Sequence, residues 1–219
     1  MNDKCTIRRV TAYVIDFIII TFIASLFAKI AILNPDFDKE TEVSEKYLEY
    51  VQEISQSGDA QELLSNDNFN NITYDVMYYG KYASLISIVV SLIYFVGFQF
   101  YNKGKTIGKA IFKINVVDVK NNNLKIWQVL VRALIADNIF FNTLSLVLLF
   151  FLSKGTYIKC SNFIDIFSIG ITFLTFGMMV ARNDGRGLHD ILAGTNVIDV
   201  EYDGEEVEVV KPKTKKRGK

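Results

Sequence analysis

Apolar positions in this chain gather into blocks instead of the one-sided stripes of a water-soluble helix. Four stretches stay apolar on nearly every face: about Val10 to Leu33, Tyr82 to Tyr101, Ile126 to Leu152 and Phe163 to Ala181. A bilayer core takes roughly 20 helical residues at about 1.5 Å rise each, and a soluble helix rarely stays apolar all round for that length. The second stretch, YASLISIVVSLIYFVGFQFY, holds no charge. The pattern predicts an all-α membrane protein: a four-helix transmembrane bundle over residues 1–200, with an outer loop at 34–77 and a charged tail at 201–219. Reading the first stretch as a cleaved signal, which Arg8-Arg9 invites, conflicts with Asp16 inside it. It also lacks a small-residue cleavage site, and three more spans follow.

Composition supports the block reading, since half of the residues are hydrophobic while 22% are charged. The net charge of zero hides a strong unevenness. Asp36, Asp38, Glu40, Glu42, Glu45, Glu49, Glu53, Asp59, Glu62, Asp67 and Asp75 face only Lys39 and Lys46 in the 34–77 loop. Between Asn102 and Lys125 stand six lysines and a single acid, Asp118, and the chain ends KPKTKKRGK. The excess of lysine and arginine on the cytoplasmic side of membrane proteins then puts both termini and the central loop in the cytoplasm. The acidic loop and a short Ser153–Asn162 turn lie outside the cell membrane. Cys5 and Cys160 fall on opposite sides, so no internal disulfide is expected. The wealth of Lys, Asn and Ile suggests a bacterial source.

Two segments echo each other. GKAIFKINVVDV (108–119) and HDILAGTNVIDV (189–200) end alike at an offset of 81 residues, which also carries the second span onto the fourth. AYVIDFIII (12–20) aligns with ALIADNIFF (133–141), setting Asp16 against Asp137. The expectation is two parallel copies of one unit, an architecture known among transporters. The acidic loop is then an insertion in the first copy. The β-branched alternation of NVVDV and NVIDV, beside Asn121-Asn122-Asn123 and Asp203-Gly204, predicts two short cytoplasmic β-hairpins. Within the acidic loop, YLEYVQEISQ reads as an amphipathic helix, and the basic tail could rest on anionic lipid.

Charged side chains inside a span are costly, about 2.5–3.5 kcal/mol on insertion scales, and are expected to face the bundle interior and pair. Arg9, Asp16, Arg132 and Asp137 all fall near the cytoplasmic ends of the odd spans and are expected to cross-pair there. Two roles stay open for them: binding a cation or proton, or locking helices together. His189, the single histidine, has no second metal ligand at useful spacing. GKTIGKA (104–110) has the wrong spacing for a phosphate loop. No nucleophile set or dinucleotide motif is present, so neither an enzyme, a cofactor, a metal site nor nucleic-acid binding is expected.

RVTAYVID at the first span, GKTIGKAIFKINVV after the second and RGLHDILAGTNVI after the fourth together resemble the RDD family of membrane proteins. That family is named for an arginine and two aspartates, and the resemblance assigns these to Arg9, Asp16 and Asp190. Ala110 departs from it, where a bulkier basic residue is usual. The resemblance implies that Asp190 pairs with Arg9 or Arg132, with a Lys109–Asp190 pair as the alternative. It implies transport of a small ligand, or cation/proton exchange, as the function. A non-transporting scaffold or assembly factor is the competing reading. Candidate partners are the lipid bilayer, a homo-oligomer and a small cation or proton.

Overall fold

A computed structural model describes residues 3–57, 67–120 and 123–200. The first helix, α1 (Asp3–Ala28), buries a narrow stripe at four-residue spacing: Ala12, Asp16, Ile20 and Ala24. That is the spacing that keeps side chains on one helical face. Its other faces carry Val14, Ile18 and Phe22 outward, as expected of a helix solvated by lipid. The helix stops at Ala28, and residues 31–33 form a turn instead of extending the span to Leu33.

The acidic loop is helical. α2 (Phe37–Ser57) and α3 (Asp67–Tyr79) pack on each other, joined by Tyr47, Tyr50 and Phe69. Asp38 and Glu40 sit in the first turn of α2, where the helix dipole favours negative charge. Lys81 clamps the base of this pair: it is ion-paired with Asp36 and lies over the rings of Tyr78 and Tyr82 at 4.4 and 4.7 Å.

The second span, α4 (Lys81–Tyr101), contains a π-helical turn at Ile93–Phe98. A short helix, α5 (Ile107–Ile111), leads into strand β1 (Ile114–Asp118). The third apolar stretch departs from expectation. Instead of one helix over 126–152 it forms α6 (Ile126–Ala136) and α7 (Ile139–Phe151), bent by 69° at Asp137-Asn138. Asn138 adopts φ 54, ψ 17, a left-handed conformation that asparagine tolerates better than most residues. The final span, α8 (Lys154–Ala181), begins directly after Ser153. The segment 154–162 is therefore its first two turns and no separate loop. Lys154 reaches Asp75 at 3.5 Å, and Tyr157 meets Tyr74 edge-on. α9 (Leu188–Ala193) and β2 (Thr195–Asp199) complete the described fold.

The first predicted hairpin is not what β1 builds. β1 pairs antiparallel with β2, with Val116 opposite Val197. Residues 123–125 are irregular and Ile126 starts a helix, so the first hairpin does not form. Burial supplies the reason: pairing β1 with β2 brings Ile114, Val116 and Val197 together against Ala12, while Ile126 and Trp127 of the expected return strand open α6 instead. The return strand of the second hairpin, the Asn121-Asn122 turn and the basic tail lie outside the described residues, as does the side chain of Cys5. Cys160 is a free thiol.

The ribbon is symmetric about the Val116–Val197 pair. The Val119 amide donates to the Gly194 carbonyl (3.1 Å) and the Val200 amide to the Lys113 carbonyl (2.9 Å). Lys113 and Gly194 share a left-handed φ, 53° and 65°. Each of these correspondences joins positions 81 residues apart, as do the first residues of α5 and α9, Ile107 and Leu188.

Candidate functional site: two carboxylate hubs and a cavity at the broken helix

Asp16 stands in the buried stripe of α1 and meets neutral donors rather than a cation. Its Oδ1 accepts from Tyr94 Oη at 2.6 Å and from the Gly108 amide at 2.8 Å, and its Oδ2 accepts from Thr106 Oγ1 at 2.5 Å. Tyr94 projects from the π-helical turn, a geometry that re-aims side chains within a span, and its Oη accepts the Ile107 amide at 3.1 Å. Thr106 caps α5, its Oγ1 accepting from the Lys109 amide at 3.3 Å. Close approach needs the glycine: a Cβ on Gly108 would lie 2.2 Å from the Ala12 carbonyl oxygen. One carboxylate thus ties together α1, α4 and α5. The expected pairing of Asp16 with an arginine is corrected: three neutral donors hold it instead.

Asp190 is the second hub and is fully buried. It is ion-paired with both Arg9 of α1 and Arg132 of α6. As the third residue of α9, its Oδ2 also reaches back to accept the Gly187 amide at 3.2 Å. Arg9 additionally donates to the Gly185 carbonyl at 2.5 Å, and Arg132 Nη1 to Thr195 Oγ1 at 3.0 Å. Both pairings allowed for Asp190 are therefore made, and the alternative with Lys109 is not. Lys109 Nζ instead donates to Gln99 Oε1 at 3.3 Å. Nearby, Gln128 Nε2 bridges Asp118 Oδ1 (2.9 Å) and the Ala193 carbonyl (3.1 Å), fixing α6 on the strand pair.

Between the hubs lies a cavity of about 250 Å³ bounded by α1, α6, α8 and the ribbon. Arg9, Lys109, Arg132, Asp137, Thr175 and His189 supply its polar lining, and Val10, Ile135, Phe176 and Met179 part of its apolar wall. Asp137, expected in the first turns of a continuous span, closes α6 at the bend and borders this cavity. Among the described residues its carboxylate forms no ion pair or hydrogen bond, and Lys109 has no carboxylate within 4 Å. Thr175 Oγ1 and His189 Nδ1 are buried and also without a partner among the described residues.

Electrostatics at the base of the cavity follow from burial. The Lys109 ammonium is pushed down to about 8, first by desolvation and then by Arg132 and Arg9, against the pull of Asp16 and Asp137. The His189 imidazole is held well below its usual range by desolvation, then by Arg132, Arg9 and Lys109, so it is neutral at neutral pH. A lysine whose native pKa is depressed sheds its proton earlier in the folded than in the unfolded state. Folded-state stability from this group therefore rises as pH increases from about 8 to the ordinary lysine range near 10.4. Thermal unfolding of the purified protein against Lys109→Gln should show this rise only in the parent chain. A Lys109→Gln profile parallel to the parent would show that the group titrates normally.

Sequence reasoning anticipated the charged members of the two hubs and missed the neutral ones, Tyr94, Thr106 and Gly108, along with the neighbouring Gln128. Thr106-Ile107-Gly108-Lys109 carries a signal, a helix cap followed by a glycine, which the likeness of GKTIGKA to a phosphate loop obscures. Among the described residues no cluster of three metal-ligating side chains occurs.

Three helices long and apolar enough to cross a membrane, with a bent pair as a fourth candidate, define an integral membrane protein whose helices are held by buried carboxylates. The chain belongs to the RDD family, whose model matches residues 6–194. The match includes Arg9, Asp16 and Asp190, and with them both hubs. No curated protein and no solved structure matches the chain significantly.

Proposed function

We propose that this chain is a membrane carrier, not an enzyme, which takes a small solute or ion into the cavity at the break in its third span. Asp137 is the carboxylate that meets the cargo, and Lys109 is its mobile counter-charge. The observation that carries this reading is the presence in one cavity of an acid and a base, neither of which forms an ion pair within 4 Å among the described residues. Buried charges are normally paired or neutralised, and irregular backbone within a membrane is tolerated where it lines a cavity. The distribution of lysine and arginine supports a cytoplasmic position for the ribbon end and both termini in the plasma membrane, with α2 and α3 outside. The symmetric ribbon supports two parallel copies of one unit.

Asp16 and Asp190 favour a second reading, since both are satisfied internally and act as locks between helices. A scaffold whose acidic outer helices bind a partner needs nothing more. Liposome flux separates the two. Uptake of Na⁺ or K⁺ against a proton gradient, or of a small solute, should fall at least about tenfold in Asp137→Asn while the variant still inserts and remains folded. Flux unchanged by Asp137→Asn removes the carrier reading, and loss of cellular function on deleting residues 36–75 with cavity variants still active supports the scaffold.

A further inference from the structure

We propose that the occupant of the cavity is a small zwitterion with an apolar body, of the size and chemistry of an aliphatic α-amino acid, its carboxylate held by Lys109 and Arg132 and its ammonium by Asp137. This rests on the reading of the cavity as a ligand site. Its polar lining offers both signs of charge with spare capacity. Lys109 Nζ uses one of its three protons on Gln99, and the Arg132 guanidinium carries five N–H donors, of which Nη1 meets Thr195 and Asp190. On the accepting side stands the unpartnered Asp137 carboxylate. His189 adds Nδ1, which is buried and without a partner among the described residues. Thr175, more than nine-tenths buried and unpartnered, can complete either set.

Charge balance narrows the choice. A simple cation in this cavity would answer Asp137 but face Arg9, Lys109 and Arg132. A simple anion would satisfy the bases and leave Asp137 opposed by like charge. A molecule carrying both charges a few ångströms apart answers both at once, and desolvation makes each unmatched charge expensive. Size agrees. A cavity of about 250 Å³ lies near the lower end of the range for small-molecule sites, about 300–1,000 Å³, and so suits a leucine-sized solute. Val10, Ile135, Phe176 and Met179 offer an apolar wall for an aliphatic side chain.

Three near-isosteres test this on the full chain purified in detergent: leucine, 4-methylpentanoate, which lacks the amine, and 3-methylbutylamine, which lacks the carboxylate. Binding is read by equilibrium dialysis and by the shift in unfolding temperature. Leucine should bind at least about tenfold more tightly than either single-charge analogue, because a site built to pair a group rejects the molecule lacking it. Asp137→Asn should erase the preference for leucine over 4-methylpentanoate, and Lys109→Gln its preference over 3-methylbutylamine. Equal binding of leucine and 4-methylpentanoate by the parent chain overturns the proposal in favour of a plain anion site. No binding of any of the three up to millimolar concentration overturns it outright. The parent chain alone decides these outcomes, so a variant that fails to fold does not blunt the test. Binding needs no flux: failure here with ion flux intact leaves the carrier reading standing, and leucine binding without flux refutes the carrier while upholding the site.

Discussion

Asp190→Ala is expected to destabilise the folded protein by about 3–5 kcal/mol, the range for removing one member of a buried ion cluster. Its carboxylate is fully buried and is the shared partner of Arg9 and Arg132. Without it two guanidinium groups, each already largely desolvated, face each other across the base of the bundle with no negative charge between them. Asp190→Asn should recover only part of the loss, since the amide keeps an acceptor for the Gly187 amide but supplies no charge. Equilibrium unfolding in mixed micelles measures both. A change below about 1 kcal/mol for Asp190→Ala, the level of an exposed ion pair, would show that the arginines find other partners and that the cluster does not hold the helices.

The second large effect belongs to the smallest side chain in the site. Gly108→Ala puts a methyl group 2.2 Å from the Ala12 backbone oxygen and 2.9 Å from Asp16 Oδ1. Neither contact is tolerable, and the Ala12 carbonyl cannot swing aside within α1. α5 must retreat, which stretches its amide bond to Asp16 and the Thr106 and Tyr94 bonds beside it. Overpacking of this kind costs about 1–3 kcal/mol, and each hydrogen bond lost to a charged acceptor about 1.5–3 kcal/mol, so a loss of about 3 kcal/mol or more is expected. Gly170→Ala, inside α8 with nothing within 4 Å of the added methyl, is the control. It should be neutral or stabilising by up to about 1 kcal/mol. Similar losses for the two variants would mean that close approach at Gly108 plays no part.

What the sequence revealed and what it hid divide along physical lines. Membrane spans depend on local composition over about 20 residues, so the approximate centres of three of them were legible, and charge unevenness marked the acidic loop as separate. The pairing of Asp190 with the two arginines was legible only through the family resemblance, because its 181-residue separation from Arg9 leaves no local pattern. The partners of Asp16 were not, since tyrosine, threonine and a backbone amide carry no charge to search for. The bend at Asp137-Asn138 escaped because apolar composition continues through it, and a single left-handed residue leaves no trace in a hydropathy pattern. The strand pairing escaped for a different reason. Alternation identified both strands, but their choice of each other over local hairpins depends on a shared apolar contact with Ala12, which is tertiary.

Arg9 finds its carboxylate 181 residues further along the chain. At roughly 5–20 residues per second of synthesis, the first span waits on the order of 10–40 seconds in the membrane before Asp190 is made. Asp16 waits less, since Tyr94, Thr106 and Gly108 follow within 78 to 92 residues. Assembly is therefore ordered by the ribosome: the Asp16 hub can close as soon as the first half has emerged, and the Asp190 hub only when the chain is almost complete. Throughout that interval a long, flexible guanidinium that can lie among the headgroups suits position 9 better than a short carboxylate would. The buried carboxylate comes last, delivered to cations already in place.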